Sequence, residues 1–252
     1  MSVYTADLSP AMRGPLEKWL SPVCSSLEGQ STSLVAFGPA VFSTAVPPTE
    51  ALSVLIVSTE SPVDVLDQVR PLWKPPRGWH IEPPLVFSPT DIEQSRDVFA
   101  IELLQMQKTG RVVFGEFDLS SLAPDGNYLR LQCERELRGL VIHSRLALFR
   151  FHEEERRAGE WMRGGIAKIT SILRGLLVLG GKDGLGSPAE VLEAFEAMEG
   201  ADCAVLRKLV SLSRDRRPRW GRRQMESLSK WLDEMVARID SWEESRGATG
   251  EE

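Results

Sequence analysis

The residues best suited to chemistry fall into separate groups. Between positions 207 and 223, Arg207, Lys208, Arg214, Arg216, Arg217, Arg219, Arg222 and Arg223 crowd around Trp220, with Asp215 the single acid. Guanidinium and ammonium groups neutralise phosphates, and an indole offers a face on which a base stacks. The same run also suits a solvated turn between helices that balances the acidic remainder or docks an acidic partner. A second group surrounds Gly38, which sits between the apolar runs Leu34 to Phe37 and Ala51 to Val57. Ser43 and Thr44 follow in its loop, where hydroxyls serve phosphate or turn chemistry. Glu50, Glu60, Asp64, Asp97 and Glu102 are the acids nearby in sequence. Magnesium needs such hard oxygen ligands to converge, together with phosphates and water. Arg138 and His143 are five residues apart on an expected helix, which rotates them well away from each other. His80 and His152 have no evident ligand partners.

Other chemistries lack support. Cys24, Cys133 and Cys203 are odd in number, far apart and without C-x-x-C spacing, so free buried thiols are expected. Gly180, Gly181, Gly184 and Gly186 match neither a phosphate loop nor a dinucleotide fingerprint and read as helix caps and a link. No G-x-S-x-G elbow is present.

The elements that must position these groups change character midway. Leu16, Trp19, Leu20, Val23 and Leu27 predict a helix from Ser9 to Leu27, kinked or broken at Pro15 or Pro22. Strands at Leu34 to Phe37 and Leu52 to Val57 follow, then a helix near Val63 to Trp73 and a proline-rich loop from Lys74 to Pro84. Leu85 to Phe87 is a short apolar run. Val98 to Leu104 reads as a strand with Glu102 on the face of Val98 and Ala100, and Arg111 to Phe114 as an edge strand. Beyond about Asp125 the pattern is helical. Leu129 to Phe151 and Trp161 to Leu177 mark two long helices, and Ser187-Pro188-Ala189-Glu190 is a capping box opening a third. A fourth spans Asp202 to Leu212. The last, Gly221 to Glu244, carries Met225, Leu228, Leu232, Met235, Ile239 and Trp242 at heptad steps, fit for packing in its own bundle or for a coiled-coil dimer.

The fold class expected is α+β, with an α/β-like N-terminal half. A small mixed sheet flanked by helices is followed by an all-helical bundle. The expected divisions are 1–124, 125–245 and a disordered tail at 246–252. The chain has 252 residues and a net charge of −6, ample for a core and poorly suited to wholesale non-specific nucleic-acid binding. It shows no signal pattern and no charge-free apolar stretch of about 18 residues, so a cytoplasmic protein without membrane contact is expected.

Three blocks resemble the polymerase β-like nucleotidyltransferase superfamily. They are Leu34-Val35-Ala36-Phe37-Gly38 with Ala51 to Val57; Asp97 to Leu103 with Val113-Phe114-Gly115-Glu116; and Leu129 to Gly139. The resemblance implies a sheet-and-helix domain followed by a helical bundle, as in aminoglycoside nucleotidyltransferases and related bacterial proteins. In active relatives the glycine is followed by serine, and the second run opens with Asp-x-Asp, which holds the cations that neutralise a triphosphate. Here Pro39 follows Gly38, and the acidic positions fall on Ala51 and Ser53. Glu102 matches the third acid, and Glu50 is expected to point away from the Ala51 face. Gly38, Pro39, Ala51, Ser53 and Glu102 thus form a vestigial cleft, with no metal or cofactor expected.

The reading this favours is a non-catalytic, nucleotidyltransferase-like binding, scaffold or regulatory protein with a protein partner or a homodimer through the last helix. One alternative is a divergent active enzyme that uses magnesium and a nucleoside triphosphate to modify a small molecule, protein or RNA. The other is nucleic-acid or phosphate binding through the basic turn at 207–223.

Overall fold

The structure is a computed structural model and describes residues 3–42, 48, 51–151, 154–212 and 218–247. It divides into two compact units, Met1–Asp125 and Gly126–Glu252. The first is a mixed sheet with helices on both faces, and every element described in the second is a helix.

The first unit opens with helix α1 (Pro10–Ser26), which starts at a proline whose missing N–H costs nothing there and continues across Pro15 and Pro22. Strands β1 (Thr32–Phe37) and β2 (Ser53–Ser58) are antiparallel neighbours, with Phe37 opposite Ser53 and Thr32 opposite Ser58. Helix α2 (Pro62–Val69) and a 3-10 turn (Arg70–Leu72) lead through a long loop to β3 (Leu85–Phe87), which runs parallel to β2. Helix α3 (Pro89–Gln94) and helix α4 (Ala100–Thr109) precede β4 (Arg111–Phe114), antiparallel to β1. The sheet order is β3-β2-β1-β4, so β3 and β4 form its edges. Pro83, Pro84 and Pro89 flank β3, while the Tyr4 N–H donates to the Val113 carbonyl of β4 at 2.7 Å.

Side-chain alternation along the strands builds two cores. Leu34, Ala36, Val54 and Ile56 pack with Met12, Leu16, Leu20, Val65 and Val69 from α1 and α2. Val35, Phe37, Leu55 and Val57 pack on the other face with Ile92, Leu103, Met106 and Leu122.

One expected strand is a helix. Residues 98–104 do not extend the sheet; Ala100 opens α4, which buries Ala100, Ile101, Leu103, Leu104 and Met106. Spacings of three and four supply that face, and the helical period prevails over the apparent alternation of Val98, Ala100 and Glu102.

The second unit comprises α5 (Gly126–Arg150), α6 (Glu155–Leu179), α7 (Pro188–Glu199), α8 (Ala204–Leu212) and α9 (Arg222–Gly247). Helix α5 packs between α6 and α9, and α6 also meets α7 and α8. A Cβ at Gly175 would lie 2.5 Å from the Cys133 sulfur, so glycine there permits the close approach of α6 to α5. The capping box is formed: the Glu190 carboxylate accepts from the Ser187 N–H at 2.7 Å, while the Ser187 hydroxyl accepts from the Glu190 N–H at 3.4 Å. Helix α9 runs to Gly247, past the point where a tail was expected to begin; residues 248–252 lie outside the described residues.

Candidate functional site

Gly38 ends β1 with a φ of +102°, a left-handed conformation that disfavours any side chain. An added Cβ would also stand 3.1 Å from the Ala51 carbonyl. The turn is held by backbone and by one hydroxyl. The Gly38 N–H donates to Thr109 Oγ1 at 2.9 Å, and that hydroxyl donates to the Gln105 carbonyl at 2.7 Å. The Ala40 N–H donates to the Ala51 carbonyl at 3.3 Å, and the Val41 N–H to the Gly38 carbonyl at 3.2 Å. Pro39 has no N–H to offer. The amides of residues 38, 40 and 41 are therefore already bonded within the protein. A phosphate-binding loop instead needs such groups free to point at the anion.

Ala51 and Ser53 do lie beside Gly38, both half-buried. Strand alternation puts Ser53 on the sheet face of Leu55 and Val57, the face covered by α4. Glu102 is not on the strand that the sequence suggested. It lies on no strand, but in the first turn of α4 with its side chain exposed, whereas Thr109, the residue bonded to Gly38, closes the same helix. Seven residues at the α-helical rise separate them by about 10 Å. Glu60 and Asp64 follow the opposite end of β2, and Asp97 is exposed before α4. Ser43, Thr44 and Glu50 lie outside the described residues. Among the described residues no group of three or more His, Cys, Asp or Glu side chains is placed to hold a metal ion.

The basic segment is more neutralised than its sequence suggests. Arg207 pairs with Glu196 at 2.5 Å and approaches Asp202 at 3.9 Å, and its hydrogen bond holds the Glu196 carboxyl below the usual range. Arg222 pairs with Glu226 at 2.7 Å. Trp220 offers no stacking face: it is only 1% exposed, and its backbone N–H donates to the Glu155 carbonyl at 2.9 Å. Its large apolar ring is worth more in the core than in water. Lys208 and Arg223 remain exposed beside Asp202 and Glu234 around a groove of about 440 Å³, and Arg219 is exposed. Arg214, Asp215, Arg216 and Arg217 lie outside the described residues.

The seam of α9 is occupied by its own chain. Met225, Leu228, Leu232, Met235 and Ile239 are buried, and α9 packs against α5 and α8. Arg138 is engaged by Glu134 at 2.9 Å and Asp240 at 2.8 Å, while His143 is exposed, so the two share no site. His80 does have a partner, Glu82 at 3.1 Å, and His152 lies outside the described residues. All three cysteines are free and buried. Burial pushes the Cys24 thiol up to about 12 and the Cys203 thiol up to about 11.

Two features carried little sequence signal. The first is a groove of about 590 Å³ on the α1 side of the sheet, lined by Pro15, Lys18, Trp19, Pro22, Leu72 and Lys74. Its floor is apolar, and it lies against the core on the sheet face opposite Ser53. The i,i+7 spacing of Pro15 and Pro22, with Lys18 and Trp19 between, is its trace in the sequence. The second is Arg174 of α6, buried and donating to the carbonyls of Gly184 at 2.8 Å and Gly186 at 2.6 Å. Burial lowers its pKa, and the nearby Glu190 carboxylate opposes that shift.

What the fold defines is an α+β protein, a mixed four-stranded sheet with helices followed by a helical unit. No protein-family model matches the chain, and no curated protein does. Among solved structures it is similar to a spectinomycin adenyltransferase from Enterococcus faecialis, a crystal structure with ATP and spectinomycin. The match has 14% identity and a TM-score of 0.49, over 86% of this chain and 97% of that one. A likeness of that degree transfers no residue role. No helix among the described residues is long and apolar enough to cross a membrane.

Proposed function

We propose that the chain is a nucleotidyltransferase-like protein that acts by binding, as a scaffold or regulator, and does not itself carry out metal-dependent nucleotidyl transfer. The observation that carries this reading is the chemistry of the Gly38 turn. Its flanking side chains, Ala51 and Ser53, are neutral, and the amides of Gly38, Ala40 and Val41 already have acceptors. Transfer from a triphosphate requires several negative charges to be neutralised where the bond breaks. Glu102 lies in the first turn of α4, an axial distance of about 10 Å from Thr109, the residue of that helix bonded to Gly38.

The test is incubation of the full chain with labelled ATP, GTP, CTP or UTP, with magnesium or manganese, and a panel of hydroxyl acceptors, RNA ends and proteins. The expected result is no label transfer above the protein-free baseline. Metal-dependent transfer that co-purifies with the chain and disappears in Glu102→Gln would overturn the reading.

A further inference from the structure

Helix α5 has two apolar faces. One faces the bundle through Leu129, Cys133, Leu137, Leu140 and Ala147. The other is in water: Tyr128 is 44% exposed, Leu131 51%, Ile142 58%, Leu146 56% and Phe149 89%. With Arg135 these side chains fall within an arc of about 60° on the side opposite the buried face, at about 100° per residue. A soluble helix ordinarily keeps one apolar stripe, and a contiguous exposed one marks an interaction surface.

The order of this stripe identifies its occupant. Residues 128, 131, 135, 142, 146 and 149 follow steps of 3, 4, 7, 4 and 3, the same read from either end. From this symmetry we infer that the exposed face of α5 joins a second copy of the chain, antiparallel, about a two-fold axis beside Gly139. In that register Tyr128 meets the partner's Phe149, Leu131 the partner's Leu146, and the aliphatic stem of Arg135 covers the partner's Ile142. A two-fold contact requires this self-complementarity. At the axis, a Cβ added to Gly139 would meet nothing within 4 Å, so the backbones are free to approach closely. Arg138, beside the axis, is already paired with Glu134 and Asp240. Taking roughly 200 Å² for each large side chain, the exposed fractions amount to about 600 Å² per copy, or about 1,200 Å² for the pair. That reaches the range of stable interfaces, which begins at about 1,200 Å². The inference does not depend on the reading of the Gly38 turn.

Sedimentation of the full chain across micromolar concentrations tests it. We expect a dimer whose dissociation constant rises more than about tenfold in Leu146→Glu, a central apolar contact. Leu185→Glu, at an exposed apolar residue elsewhere in the same unit, should leave it unchanged. Helical content by circular dichroism should be that of the parent, since both sites are exposed. Gly139→Cys with a short bismaleimide should give a covalent dimer, and Tyr128→Cys alone should not; the native thiols are buried. A monomer throughout the concentration range, a dimer indifferent to Leu146→Glu, or failure of Gly139→Cys to cross-link would each overturn the proposal. So would a monomer whose α5 amides are protected from exchange, which would assign the face to another occupant.

Discussion

The Gly38 turn and the Gly184 to Gly186 loop both redirect the chain through glycines with positive φ, yet only the second is tied down by a charge. At Gly38 the fastening is neutral, a threonine hydroxyl and backbone carbonyls. At Gly184 and Gly186 a buried guanidinium spans two carbonyls, with the Glu190 carboxylate of the following cap nearby. The ionic centre therefore sits where the helical unit needs its loop fixed. The Gly38 turn, where the sequence already lacked acids, is fastened among the described residues by neutral groups.

This contrast can be broken experimentally. The largest effect is expected for Arg174→Leu, which leaves the Gly184 and Gly186 carbonyls without their donor. A loss of about 3–4 kcal/mol is expected in urea unfolding followed by circular dichroism. Arg174→Lys should recover only part of it, because an ammonium group lacks the planar fork that reaches both acceptors. A loss below about 1 kcal/mol would mean that the loop holds itself.

Thr109→Val, nearly the same shape, should cost about 1–2 kcal/mol by leaving the Gly38 N–H buried without an acceptor. Raised protease sensitivity between residues 38 and 53 would show that the hydroxyl fixes the turn; an unchanged cleavage pattern would show that backbone bonds suffice.

The smallest effect concerns Glu190. The Ser187 backbone N–H, then its hydroxyl, and lastly Arg174 hold this carboxyl below the ordinary glutamate range. Its contribution is thus fully present above the unfolded-state pKa and is lost as pH falls through the lowered folded-state value. The difference in unfolding free energy between the parent and Glu190→Gln should therefore shrink as pH is lowered through the acid range. A difference constant with pH would place the effect in packing instead of charge.

How far the sequence foretells these features depends on whether the signal is local. The Ser187 to Glu190 cap and the helices of the second unit are legible because caps and period are properties of neighbouring residues. So are β1, β2 and the short edge strand β4. Residues 98–104 satisfied both periods, and only the continuation through Leu104, Met106 and Thr109 to the stop at Gly110 decides for a helix. With that decision Glu102 moves from a strand to the first turn of a helix. Arg174 was invisible because its partners are 10 and 12 residues away, although an arginine among Ile172, Leu173, Leu176 and Leu177 was its one mark. On α5 the inward residues masked the outward ones, since a single periodic face already accounts for a helix. The two readings of the basic segment stayed open at Trp220 because composition cannot tell a tryptophan displayed among arginines from one driven into the core.

The margins of the first unit's sheet bear on how copies of the chain can join. At one margin β3 is only three residues long and bracketed by prolines; at the other, the segment before α1 already donates to β4. Neither margin offers an open template for ribbon-like propagation, since proline and brevity deny an incoming strand its ladder. Growth by strand addition at these margins is thereby disfavoured, so crowding the protein in solution should not seed fibres.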